Sequence, residues 1–127
     1  MKLLLLSSPN FFVEEDKILA TLFEEGLDIL HLRKPNSEPV YCERLLTLLP
    51  QKYHQRIITN DHFYLKEEFD LMGIHISERN PEIPHGYKGV TTRTCYSLDE
   101  LAEAKKTSQY VILRNIYDSA SGNDSKA

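Results

Sequence analysis

Five polar clusters in the chain each follow a short apolar run, and their side chains are those that bind anions and metal ions. They are His31-x-Arg33-Lys34, Asn60-Asp61, His75-x-Ser77-Glu78-Arg79-Asn80, Thr92-Arg93-Thr94 and Arg114-Asn115. A forked guanidinium beside a compact ammonium, as in Arg33-Lys34, can hold a phosphate or a pyrophosphate. The same pair also reads as a solvated strand end before Pro35. Asn60-Asp61 offers an amide for a phosphate oxygen and a carboxylate for Mg²⁺; it reads equally well as the N-cap of a helix beginning near His62. His31 and His75 lie inside apolar runs, either as hydrogen-bonded core residues or as neighbours on one rim. Cys42 and Cys95 stand far apart with no CxxC or CxxH pattern, so they read as small hydrophobic fillers in a reducing, cytoplasmic setting.

These clusters need elements to hold them. Residues 3–7, 27–33, 56–60, 71–76, 89–92 and 110–113 read as six strands, separated by amphipathic segments. Residues 14–25 place Ile18, Leu19, Leu22 and Phe23 at helical spacing, with Gly26 as the stop. Residues 38–53 carry Tyr41, Cys42, Leu45, Leu46 and Leu49 on one stripe, ended by Pro50, and residues 62–69 form a short third helix. Pro81 and Pro84 make the stretch 77–86 a loop crossover. Ser97-x-x-Glu100 is a capping box that opens a helix through Lys106, with Leu98, Leu101 and Ala102 inward. From residue 120 onward the chain is small and polar, a disordered tail.

Alternating strands and helices predict an α/β protein with a parallel sheet, in which reactive groups gather at the carboxyl ends of the strands. That rule brings the five clusters to one rim. Both a Rossmann-like open sheet and part of a (β/α)8 barrel fit the pattern, although no GxGxxG follows the first strand. The chain has 127 residues, 41% of them hydrophobic and 27% charged, as in an ordinary globular domain. Its fifteen Lys and Arg against nineteen Asp and Glu give a net charge of -4, without the broad basic field of a nucleic-acid binder. The apolar run after Met1 ends at Ser7-Ser8-Pro9, short for a signal peptide, and no spanning segment follows it.

The ordered series Ile29-Leu30-His31-Leu32-Arg33-Lys34, Ile57-Ile58-Thr59-Asn60-Asp61, Met72-Gly73-Ile74-His75-Ile76-Ser77, Ser97-Leu98-Asp99-Glu100-Leu101 and Tyr110-Val111-Ile112-Leu113 resembles thiamine-phosphate synthase and its sister, thiazole tautomerase. Order and spacing match over residues 2–119. The resemblance implies an α/β fold of the (β/α)8 TIM-barrel type, here incomplete with about six parallel strands. Residues 1–119 would be the partial barrel domain and residues 120–127 the tail.

The synthase couples a hydroxymethylpyrimidine pyrophosphate to a thiazole phosphate and releases pyrophosphate. By resemblance, Arg33 and Lys34 would contact the pyrophosphate, Asn60 would hold a phosphate oxygen and Asp61 would bind Mg²⁺. His31, His75 and Thr94 would complete the substrate site. The pattern departs from the family at several places. His31 stands where the synthase usually has Gln and the tautomerase tends to have His. Asn80 occupies the place of a second metal-binding Asp, and Thr94-Cys95-Tyr96 replaces a motif that often ends Ser-x-His. Ser119-Ala120-Ser121-Gly122 lacks the expected lysine, and the phosphate loops after the seventh and eighth strands are absent. Thiazole tautomerase and a silent relative serving as a ligand-binding module are therefore the alternative readings. The uncovered first and sixth strands would favour a homo-oligomer.

Overall fold

The computed structural model describes residues 3–77, 79–95 and 110–113. Contacts divide the chain into two compact units, residues 1–74 and 75–127. In the first unit the order is β1 (Leu4–Leu6), α1 (Glu15–Glu24), β2 (Ile29–Leu32), α2 (Pro39–Leu48), a 3-10 helix (Gln51–Arg56), β3 (Ile57–Thr59), α3 (Leu65–Phe69) and the start of β4 (Gly73–Ile76). Every pairing is parallel and joins sequence neighbours: Leu6 lies opposite His31, His31 opposite Ile58, and Thr59 opposite Ile74. A doubly wound sheet reverses strand order at a switch point. No reversal occurs from β1 to β4, so the order is that of a barrel-type βα repeat.

The side chains of β2 alternate between two buried faces. Leu30 and Leu32 join Leu19, Phe23, Cys42, Leu45, Leu46, Leu49, Tyr53, Ile57 and Leu65 in the core under the helices. His31 points to the other face, opposite Ile58, and is only 1% exposed. A strand covered on both sides is apolar almost throughout. That is why a lone histidine stands out in it.

Helix α1 is rotated from the predicted face. Glu15, Leu19 and Phe23 are its buried row, whereas Ile18 and Leu22 are exposed. The helix ends as predicted at Gly26, whose φ of 122° lies in a region that favours glycine. Leu27 N–H donates to the Leu22 carbonyl at 2.9 Å and Gly26 N–H to that of Phe23 at 3.3 Å, the paired bonds of a Schellman stop. Helix α2 starts on Pro39, which has no N–H to satisfy, and ends before Pro50; the predicted helix through residue 53 is split there by the 3-10 turn. Tyr41, assigned to its inner stripe, is exposed. Helix α3 begins three residues later than predicted, at Leu65.

The second unit contains the end of β4, then β5 (Val90–Cys95) and β6 (Tyr110–Leu113), with Thr92 opposite Tyr110 in a parallel pairing. Strand β5 runs three residues beyond the predicted end, while β6 has the predicted bounds. The described residues of the loop after β4 form no helix, as Pro81 and Pro84 require. The expected helix over residues 97–106, Tyr96, Arg114-Asn115 and the tail lie outside the described residues. Among the described residues no helix is long and apolar enough to cross a membrane.

Candidate functional site

The carboxyl ends of β2 and β3 bring His31, Arg33, Asn60 and Asp61 together. Because Leu32 lies opposite Thr59, the residues that follow each strand emerge side by side, and Asn60 N–H donates to the Leu32 carbonyl at 3.0 Å. Strand β1 closes the near side: Ser7 N–H donates to the His31 carbonyl at 3.0 Å, and Ser7 Oγ accepts from Arg33 N–H at 2.9 Å. Asn60 and Asp61 are buried, and neither caps α3, whose N-cap is Tyr64. The capping alternative therefore falls.

Each donor at this rim has a different standing. The Arg33 guanidinium is half-buried and takes no hydrogen bond or ion pair among the described residues. Five rigid N–H donors without a protein acceptor are suited to an anion. Asp61 is held from two sides: its Oδ2 accepts from Lys34 N–H at 2.9 Å, and its carbonyl accepts from Thr59 Oγ1 at 2.5 Å. His31 and Asn60 are hydrogen-bonded through their side chains. Burial pushes the His31 imidazole below its ordinary value, and the bond to Asn60 acts in the opposite direction.

Lys34 departs from its expected role. Its ammonium is fully buried and donates to the Ser8 carbonyl at 2.7 Å, the Asn10 carbonyl at 2.9 Å and Glu15 Oε2 at 2.6 Å. An ammonium has three donors. All three are spent within the protein, so the structure places no Lys34 charge toward an anion beside Arg33.

Glu15, which closes this ion pair, escapes a reading based on residue type because acids crowd the start of α1. Its signal is positional: it precedes Leu19 by four residues and Phe23 by eight, on the row that faces inward. Three loops that follow β1, β2 and β3 also each contain a non-glycine residue with positive φ, namely Glu14, Asn36 and His62. Such conformations cost about 1–3 kcal/mol each and persist where the surroundings impose them.

In the second unit, His75 is clamped between two hydroxyls of β5. Nδ1 lies 2.5 Å from Thr92 Oγ1 and Nε2 lies 2.5 Å from Thr94 Oγ1. Each hydroxyl can donate or accept, so both ring nitrogens are satisfied within the protein. Thr94, predicted as a substrate contact, is thus paired with the other predicted residue of its unit. Asn80 forms a turn, exchanging backbone hydrogen bonds with Ser77 at 3.1 Å. Cys42 is buried among α2 residues, which pushes its thiol up, consistent with a core filler.

The fit to a metal ion is partial. Among the described residues no group of three or more His, Cys, Asp or Glu side chains could cage one. Mg²⁺ is commonly held by one or two carboxylates together with substrate phosphates and water. Asp61 is the carboxylate of this rim that such an arrangement would use.

No family model and no curated protein matches the chain. Among solved structures, it is similar to thiamine phosphate pyrophosphorylase from Bacteroides thetaiotaomicron, with 57% identity and a TM-score of 0.89 over 94% of this chain and 60% of that one. It also superimposes on thiamine phosphate pyrophosphorylase from Pyrococcus furiosus with a TM-score of 0.73, 17% identity, and coverage of 88% of this chain and 59% of that one. The second likeness shows fold alone, an incomplete TIM-barrel-like α/β arrangement. The chain spans about three fifths of the length of both structures. The 57% identity across 94% of the chain supports a place in a thiamine-phosphate synthase-like family.

Proposed function

We propose that the rim formed by Arg33, Asn60 and Asp61 binds the diphosphate of a phosphorylated pyrimidine, in a synthase-like coupling to a thiazole phosphate that belongs to thiamine biosynthesis. In that reaction the pyrimidine's C–O bond to pyrophosphate breaks, and the thiazole nitrogen bonds to the resulting carbon centre. Negative charge gathers on the departing pyrophosphate, so donors fixed in advance around its oxygens lower the barrier. Arg33 supplies the forked donor and Asn60 an amide. Asp61 would hold Mg²⁺, which when bound supplies further neutralisation of the leaving group. His31 lines the same rim as a neutral, apolar-side residue, while His75 and Thr94 are carried as substrate contacts of the second unit. An incomplete (β/α)8-type barrel of about six parallel strands and a homo-oligomer through its sheet edges belong to the same proposal.

The observation that carries this reading is the half-buried Arg33 guanidinium, which meets no acceptor among the described residues, beside a buried amide and a buried carboxylate. Titration of the pyrimidine diphosphate in Mg²⁺ into wild type and Arg33→Gln tests it. Hydrogen bonds to charged groups contribute about 1.5–3 kcal/mol, so the variant should bind about tenfold to a hundredfold more weakly. Equal affinity would refute the assignment. Binding without turnover when thiazole phosphate is added would favour the ligand-binding module over the synthase.

A further inference from the structure

The buried Lys34–Glu15 pair does something that the anion-site reading does not require. Four separate segments meet at Lys34. Its ammonium fastens two backbone carbonyls of the loop after β1, those of Ser8 and Asn10, and the first residue of the buried row of α1, Glu15. Phe11, from the same loop, lies over the ammonium with its ring centroid 4.5 Å away. The Lys34 backbone then continues the connection, since its N–H donates to Asp61 Oδ2 at 2.9 Å and its carbonyl accepts from Ser37 Oγ at 2.7 Å. A movement of Lys34 therefore moves the carboxylate proposed to hold Mg²⁺.

Both charges of the pair are almost wholly removed from water, at 0% and 3% side-chain exposure. A buried ion pair gives little net stability compared with apolar residues of the same shape, so stability alone is a poor reason for one here. Orientation is a better reason. The two carbonyls need donors that neither sheet nor helix provides, and Glu14, one residue before Glu15, adopts a left-handed φ of 63° that the loop must sustain.

We propose that Lys34 and Glu15 form a clasp that positions Asp61 and the loop after β1, and that Lys34 is a positioning residue that does not touch the anion. The inference rests on the proposed Mg²⁺-diphosphate site. It differs from direct anion contact in the expected sign of one substitution. If Lys34 were a ligand, Glu15→Gln would release its ammonium and leave binding unchanged or tighter, while Lys34→Met would weaken it. If the pair is a clasp, the two variants behave alike.

The experiment measures pyrophosphate affinity with and without Mg²⁺ for wild type, Lys34→Met, Glu15→Gln and the double variant Glu15→Leu/Lys34→Met, which leaves no uncompensated buried charge and so protects the fold. Backbone amide exchange over residues 8–14 is followed in the same samples. The clasp predicts that all three variants lose about tenfold of the Mg²⁺-dependent gain in affinity, with faster exchange in the loop. It also predicts that the Mg²⁺-free affinity, carried by Arg33, stays within about twofold of wild type. A general structural defect would lower both affinities together and overturn the proposal, as would Glu15→Gln binding like wild type. A wild-type protein without measurable Mg²⁺-dependent binding would refute the site itself, a result distinct from failure of the clasp.

Discussion

Replacing His31 with Gln should flatten the acid side of the protein's stability profile. The imidazole is 1% exposed and held below its ordinary value of 6.5 by burial, so the folded chain resists a proton that the unfolded chain accepts. As pH falls through 6.5 the unfolded state therefore binds more protons than the native state, and stability declines until the native imidazole also protonates. The stabilisation is fully present above the unfolded value and lost below it. The limiting slope is one proton, about 1.4 kcal/mol per pH unit. Gln has no titrating group, and its amide can keep a bond to Asn60. Urea unfolding of wild type and His31→Gln at pH values from about 7.5 to about 5.5 reads the difference directly, with a ceiling near 1.4 kcal/mol at the acid end set by that slope. Parallel stability curves for the two proteins would refute the account of a buried, neutral His31. A wild type that gains stability on acidification relative to the variant would reverse its sign.

Tyr64 should ionise late, because its hydrogen bond to the Glu43 carboxylate favours the neutral phenol and pushes it up to about 12. Ultraviolet titration should show one phenol among the seven tyrosines return toward the ordinary range in Glu43→Gln, and an unchanged titration would remove the contact. Strand β1 pairs with β2 on one side and exposes Leu4 and Leu6, so the chain should self-associate through that edge. Sedimentation velocity and thermal unfolding should then show a midpoint that rises with protein concentration. A monodisperse monomer with a constant midpoint would contradict this.

Much of the fold is legible in the residues because the strands are buried on both faces. Ile29–Leu32, Ile57–Thr59 and Gly73–Ile76 are almost continuous apolar runs, and each is a strand in the structure. Helix orientation is harder to read. Ile18 and Leu22 share helical spacing with Leu19 and Phe23, yet the buried row includes Glu15, whose charge is neutralised by a residue nineteen positions away. Hydropathy cannot register such a partner. The same long-range pairing hides the position of Lys34: residue type alone places it beside Arg33 as a second cation, whereas its donors belong to Ser8, Asn10 and Glu15. Strand β5 reads as ending at Thr92 because Arg93 and Thr94 are polar, whereas it continues to Cys95. Its threonine hydroxyls are instead occupied on His75, which makes a polar strand compatible with burial.

Pyrophosphate titration by calorimetry, with and without Mg²⁺, into wild type and Asp61→Ala tests the central claim most directly. If Asp61 carries the metal that accompanies a diphosphate held by Arg33 and Asn60, wild type should bind pyrophosphate more tightly with Mg²⁺ than without it, and Asp61→Ala should bind equally in both conditions. The same Mg²⁺ dependence in both proteins would remove Asp61 from the site and contradict the account.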